Sequence, residues 1–232
     1  MSIYILVFLL GSVVASFLNV VAKSVPINQN WKFRRSTCPH CQATITPLQL
    51  IPILSYIAQK GRCKSCHIKI SPLYPLVEFI GGLLFTSTLI FLPNPHTELI
   101  FAWIFFSLLL TVTLTDLYYR LIPNKILITF GIPLFLMQPN ITTAIAGFLF
   151  LYGASFLGKI LFKKETIGGG DIKLYFIIGL ALPIQTLLLS IVISSVTALI
   201  HILIFAKSKS KPIPFVPFIA TGTIVSYIIS AI

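Results

Sequence analysis

The residues of this chain best suited to chemistry are two aspartates and four cysteines. Asp116 closes a long apolar run that begins at Leu99, and Leu117-Tyr118-Tyr119-Arg120-Leu121-Ile122-Pro123 follows it. Asp171 ends Gly168-Gly169-Gly170-Asp171 and precedes Ile172-Lys173 and another apolar run. The chain has no other aspartate. A carboxylate at a membrane boundary is costly, so each marks a candidate functional site. Two carboxylates converging on one water cannot both ionise cheaply and share a proton. The charged member can draw a proton from the water while the neutral one donates to a scissile carbonyl. That is aspartic-protease chemistry with no covalent intermediate, and either aspartate can take either role.

The surrounding residues say how such a pair would be held. Three glycines before Asp171 permit backbone conformations closed to other residues and close approach of other groups. Pro123 limits any helix running on from Asp116. Each carboxylate therefore lies beside a break in regular structure, which membrane depth tolerates only where protein buries it or water reaches it. The plain structural alternative is ion pairing, of Asp116 with Arg120 at helical spacing and of Asp171 with Lys173 or Lys164. A different functional class is an ion-coupled secondary transporter using the aspartates as a relay. Against it, the sequence places both at one membrane face and shows no evident internal repeat.

The cysteines form two pairs, Cys38-Pro39-His40-Cys41 and Cys63-Lys64-Ser65-Cys66, separated by 21 residues. Two such pairs supply four thiolates able to close a tetrahedron around zinc. Disulfides fit a reducing compartment poorly, and a redox C-x-x-C would want a βαβ context. His40 or His67 could replace one ligand, but an all-cysteine site is the simpler fit. The segment carrying them, 23–72, is the only long stretch of low hydrophobicity and holds eight basic residues and no acid. It is too poor in apolar residues to build its own core, so a structural metal would supply the missing folding free energy. With all four positions filled, no coordination site is left for catalysis. Zinc with four thiolates would leave the module at about +6, a charge that holds it against anionic lipid headgroups.

These groups must be positioned by a membrane-spanning scaffold. The chain has 232 residues, 56% hydrophobic and only 9% charged, and a mean hydropathy of +0.98. Apolar runs read as transmembrane helices, about 20 residues to a crossing. About eight are predicted, at 2–22, 73–92, 98–116, 125–138, 141–162, 172–183, 184–206 and 214–232, the fourth and sixth short. With the N-terminus outside, the outer loops hold no Lys or Arg, and all 17 basic residues fall on the inner side. Cytoplasmic loops carry that excess, which places both aspartates and the cysteine loop on the cytoplasmic face. The net charge of +12 is thereby explained without a nucleic-acid partner. The first helix has no base before its apolar run and is basic after it, the reverse of a cleaved secretory signal. Ser12, Ser16, Asn19 and Lys23 share one face of that helix, as expected for helix packing inside a bundle. His201, Ser190 and Ser194 carry the same packing expectation.

The motifs together resemble those of the bacterial prepilin peptidases, or type IV leader peptidases, a family of GxGD membrane aspartic proteases. Gly168 and Gly170 with Asp171 make the GxGD signature. The likeness covers nearly the whole chain: Gly11 and Ser16-Phe17-Leu18-Asn19-Val20-Val21, Arg35-Ser36 before the first cysteine pair, Ile51-Pro52 with Ser55-Tyr56, Gly61 before the second pair, and Tyr74-Pro75 with Val77-Glu78. It continues through Asp116 with Ile122-Pro123, Lys173-Leu174 and Pro214-Phe215-Val216-Pro217-Phe218. The resemblance implies removal of a short basic leader from prepilins or pseudopilins at the cytoplasmic face of the bacterial inner membrane. Asp116 and Asp171 match the catalytic aspartates. It also implies N-methylation of the new N-terminus with S-adenosylmethionine, an activity associated with the N-terminal part. The full four-cysteine loop favours such a bifunctional enzyme over shorter, cleavage-only archaeal relatives.

The sequence departs from the pattern at Ser24, where a base often precedes Leu-Pro, and at Asn124, where an acid often follows the proline. Glu78 matches the pattern, and two roles stay open for it: a structural one, pairing with a basic group, and one in methylation. The expected organisation is all-α and polytopic: a first helix at 1–22, a zinc-stapled cytoplasmic loop at 23–72 associated with methyl transfer, and a membrane-embedded peptidase domain at 73–232. The expected partners are prepilin or pseudopilin substrates and membrane lipids. A leader of basic character cannot be attracted directly by a basic inner surface. The bilayer would instead concentrate both, the substrate's apolar helix inserting and sliding laterally to the enzyme. A zinc-bearing scaffold without catalysis is the remaining alternative class.

Overall fold

Every predicted apolar segment is a helix. The computed structural model describes residues 2–29, 36–92, 95–163, 167–205 and 213–231; Arg35, Lys164 and the basic residues of 207–211 lie outside them. Five helices are long and apolar enough to cross a membrane: α1 (Ser2–Ser24), α3 (Leu73–Phe91), α4 (Pro95–Tyr119), α6 (Ile141–Phe162) and α8 (Ile184–Phe205). Between α1 and α3 lies a five-residue helix, α2 (Leu54–Ala58). Three further helices are short: α5 (Asn124–Met137), α7 (Gly169–Ala181) and α9 (Val216–Ala231). At about 1.5 Å per residue they reach only some two-thirds to four-fifths of a hydrocarbon core. Prolines explain the shortness. Pro123 and Pro139 bracket α5, Pro183 follows α7, and Pro214 precedes α9, each removing a donor and blocking the preceding turn. The chain is a multi-pass helical membrane protein.

It divides into two compact units, Met1–Ile90 and Phe91–Ile232. In the first, α1 and α3 meet through small residues. A side chain added at Gly82 would strike the Phe8 ring at 2.6 Å and the Ser12 hydroxyl at 2.7 Å, and Gly11 lies against Gly81. Such stripes let backbones approach where no hydrophobic force separates helix from lipid. Ser12 and Asn19 are buried on this face, and Ser12 donates to the carbonyl of Phe8, as packing requires. Ser16 is different and returns below.

In the second unit α4 is the most enclosed of the long helices. Phe101, Phe105 and Phe106 surround the ring of Tyr227 on α9, at centroid distances of 5.7 to 6.4 Å. Burial of α4 is what brings Asp116, in its last turn, into the interior. α8 packs on α9, α6 on α7, and α5 on both α4 and α7. Ser190 and Ser194 are buried between helices and bond their own helix's carbonyls, and His201 lies 5.2 Å from the Phe218 ring. Gly179 sets the spacing of α6 and α7. A Cβ there would lie 2.7 Å from Ala144 Cα and 3.0 Å from the Thr143 carbonyl oxygen, both rigid backbone. Gly179→Ala should therefore force the helices apart and cost about 1–3 kcal/mol. A lowered melting temperature of the purified protein in detergent is the expected result; an unchanged one would contradict this packing.

Candidate functional site

Asp116 and Asp171 come from different helices to one place. α4 ends just past Asp116: Arg120 adopts a left-handed conformation (φ 55°) while its N–H still bonds the Asp116 carbonyl at 2.9 Å. The Asp116 carboxylate is 7% exposed. Its Oδ2 accepts the backbone N–H of Val216, at 3.0 Å, and the N–H of Phe215 reaches it too. Val216 opens α9, so a carboxylate from α4 caps that helix at its positive end. Pro217 sits in the same first turn, where a missing N–H does no harm. This is the work of the Pro214-to-Phe218 segment. A distance of 100 residues separates the partners, and nothing in the local pattern announces them.

Asp171 is the third residue of α7, and its N–H bonds the Gly168 carbonyl at 3.0 Å. It is half-buried and lies within electrostatic reach of Asp116. Of the two uses expected of the glycines, unusual backbone and close approach, only the second is met. Gly168 has an ordinary φ of −66°, and Gly169 and Gly170 are helical, so no unusual backbone is needed. Space is needed instead. A Cβ on Gly168 would come 3.3 Å from Asp171 Oδ2, and one on Gly170 would come 3.3 Å from Ile122, whereas Gly169 faces open room. Ile122 belongs to the connection between α4 and α5, so contact at Gly170 joins the Asp116 segment to the Asp171 segment.

The basic neighbours are placed at the same end. Lys173 donates to Asn124 Oδ1 at 3.2 Å, so its hydrogen bond goes to the first residue of α5, not to Asp171. The amide of Asn124 thus still offers the acceptor oxygen that an acid would. Arg120 acts on Asp116 by its charge, which is the part of the ion-pair alternative that survives.

In the first unit the four cysteine sulfurs converge, all within 4.8 Å of one another, with Cys38 and Cys66 at 3.9 Å and no disulfide formed. A tetrahedron with metal–sulfur bonds of about 2.3 Å has edges of about 3.8 Å, so the sulfurs fit such a metal without either histidine. Two matching knuckles create the geometry. In the first, Cys38 N–H bonds the Ala43 carbonyl and Gln42 N–H the Cys38 carbonyl; in the second, Cys63 N–H bonds Ile68 and His67 N–H bonds Cys63. Gln42 and His67 share a φ of 57°, and isolated bridges, Thr37 with Thr44 and Arg62 with Lys69, close both. Backbone N–H groups of Cys41 and His40 draw the Cys38 thiol below its usual range, and those of Cys66 and Ser65 draw Cys63 down to about 6. These two thiols are poised as thiolates, whereas Cys66, against the pull of the Ile68 N–H, is pushed up to about 11 by burial and the neighbouring sulfurs. Gly61, at φ 66°, lies under the Tyr56 ring with its Cβ position 2.9 Å from the Tyr56 hydroxyl, which fixes the approach to the second knuckle.

Glu78, whose role the sequence leaves open, has a defined place. Glu78, buried in the second turn of α3, accepts the Ser16 hydroxyl at 2.8 Å and the Ile53 N–H at 2.7 Å. The motif residues Ser16 and Glu78 thus meet, together with Ile53, which follows Ile51-Pro52.

Fold and sites define a class: a multi-pass helical membrane protein with a pair of neighbouring carboxylates and a four-cysteine loop able to hold a metal. Residues 9–92 match the bacterial peptidase A24 N-terminal domain, and residues 103–203 match the type IV leader peptidase family. The chain is 36% identical over 236 residues to a prepilin leader peptidase/N-methyltransferase of Bacillus subtilis (strain 168), covering 96% of this chain and 93% of the relative. It is 34% identical to the protein of that name from Aeromonas hydrophila, over 93% and 87% of the two chains. Identity is 31% with a type 4 prepilin-like proteins leader peptide-processing enzyme of Escherichia coli O78:H11, over 96% and 92%. No solved structure gave a significant match. The chain belongs to the type IV leader peptidase family.

Proposed function

We propose that this protein cleaves the leader from type IV prepilins or pseudopilins and then N-methylates the exposed N-terminus. The observation that carries the reading is the approach of Asp116, at the end of α4, to Asp171, at the start of α7, in a chain that belongs to the leader peptidase family. A water held between the carboxylates loses a proton to the charged one as it attacks the scissile carbonyl. The neutral one donates to the carbonyl oxygen and offsets its developing charge. Collapse of the tetrahedral intermediate releases the leader with a new carboxylate and leaves an amine on the pilin. An ion relay would need carboxylates near the bilayer midplane; these stand in the last turn of α4 and the first of α7.

Orientation follows from charge. Arg120, Lys125 and Lys173 lie at the aspartate end, and lysines and arginines crowd the cysteine loop. The excess of such residues favours the cytoplasmic side, so both sites face the cytoplasm of a bacterial inner membrane. Cys38, Cys41, Cys63 and Cys66 hold zinc in a structural role, since four thiolates leave no open position. S-adenosylmethionine, when bound, supplies an electrophilic methyl group on a sulfonium. The cysteine loop with its flanking helices forms the methyltransferase-associated part, and the helices that follow form the peptidase domain. Anionic lipids hold the basic loop at the surface while the substrate's apolar helix arrives laterally through the bilayer. Recognition then rests on that helix and on the residues at the cut.

The test is reconstitution. Purified protein, a full-length prepilin in detergent and S-adenosylmethionine should yield pilin lacking its leader and one methyl group heavier, read by intact mass. Unprocessed prepilin would overturn the reading, and a trimmed but unmethylated product would leave the peptidase alone.

A further inference from the structure

Glu78 is the only acid in the first unit, against eight basic residues. It is 8% exposed, yet both of its hydrogen-bond partners are neutral, the Ser16 hydroxyl and the Ile53 N–H. Two donors use about half of a carboxylate's lone-pair sites. Among the described residues they leave its charge without a counter-charge, and burying an anion so placed is costly.

The chain also strains itself to make one of these bonds. Ile53 stands at φ 62°, ψ −53°, in a tight turn where Leu54 N–H bonds the Pro52 carbonyl at 2.6 Å. For a β-branched residue this is a strained outlier. It aims the N–H at the carboxylate.

A cavity of about 830 Å³ borders Glu78, within the size range of small-molecule sites. Ser16, Tyr56 and Tyr74 line it, with Cys38 and Cys63 in its wall. Lys23, also on the lining, donates to the Tyr74 hydroxyl at 2.6 Å and sits 4.0 Å over that ring. The cavity therefore offers a buried negative group, aromatic faces and a separate positive group. That set suits a zwitterionic, nucleoside-sized ligand with a cationic centre.

We infer that Glu78 anchors a compact organic cation in this cavity, the positively charged partner of methyl transfer. Two sources share the chemistry: the sulfonium of S-adenosylmethionine and the terminal ammonium of a freshly trimmed pilin, which gives up a proton to water before its nitrogen takes the methyl and the sulfonium leaves as a neutral thioether. The inference rests on the methyltransferase reading above and gives that activity a binding residue within the N-terminal part. Glu78 binds and orients; the residues of the peptide cut are Asp116 and Asp171.

The experiment uses the full-length protein in detergent, as wild type, Glu78→Gln and Glu78→Asp. Leader cleavage, methylation of trimmed pilin, and calorimetric binding of S-adenosylmethionine and its neutral thioether product are measured on each. Glu78→Gln should cleave prepilin at the wild-type rate and lose about 10- to 100-fold in methylation, with partial recovery in Glu78→Asp. If the sulfonium is the cation, Glu78→Gln weakens S-adenosylmethionine about 10-fold or more and its thioether little. If the ammonium is the cation, donor binding holds and the KM for trimmed pilin rises. Either pattern supports the anchor. Glu78→Gln that methylates normally overturns it. So does a variant whose cleavage, methylation and melting temperature fall together, because that marks a purely structural group. A wild-type protein that never methylates sinks the parent reading instead.

Discussion

Replacing either Asp116 or Asp171 by Asn should lower leader cleavage by at least about 10³-fold, because general acid–base catalysis and activation of the water are both lost. Asn can neither take the proton from water nor hand one to the carbonyl. The substitution is also mild on the fold. In Asp116→Asn the amide oxygen can still accept the Val216 N–H that Oδ2 now holds at 3.0 Å, so α9 keeps its cap. Asp116→Ala would instead leave that buried N–H without its partner, at about 1–3 kcal/mol. Comparing the two separates chemistry from folding: both should be inactive, and only the alanine variant should melt earlier. Single-turnover cleavage of a purified prepilin is the measurement. Wild-type cleavage by either Asn variant would rule out the pair. Methylation of an already trimmed pilin should continue in both, which separates loss of the cut from general damage.

The helices were legible because lipid imposes a simple rule, an apolar run long enough to cross, and the eight runs became eight helices. The cysteine centre was legible for a similar reason, since the same four-residue pattern occurs twice and each copy folds into the same knuckle. What the sequence hid depends on contacts between distant residues. The Asp116 carboxylate meets Val216, a hundred positions on, and only the packing of α4 on α9 brings them together. Glu78 meets the N–H of Ile53, and that meeting needs a positive φ at a β-branched residue, which propensity argues against. The glycines before Asp171 permit both unusual backbone and close approach. They serve close approach, because what presses on them, Ile122 and the Asp171 carboxylate itself, is visible only once the helices are in place. Ser16 belonged by spacing to a packing face, and only the position of Glu78 shows its second use.

Removing the metal should be the other large effect. Residues 36–72 contain one four-residue 3-10 helix, the five-residue α2 and two isolated bridges. Their larger apolar side chains mostly face outward, Leu48 77% and Ile57 65% exposed. No core holds this segment together, so the metal must, and a structural zinc site can supply about 10–16 kcal/mol. Purified protein should carry about one zinc per chain, absent from the double variant Cys38→Ser with Cys63→Ser. In that variant limited proteolysis should cut within 36–72, where the wild type resists. Because Cys38 and Cys63 also wall the cavity beside Glu78, S-adenosylmethionine binding and methylation should vanish with the metal. Cleavage should fall less, since the hydrogen bond that holds the Asp116 carboxylate comes from Val216, within the second unit itself. A metal-free protein that stays protease-resistant and still methylates would show that the four sulfurs converge for some purpose other than holding a metal. An equal loss of both activities would instead make the loop a docking element for the pilin, common to the cut and the methylation.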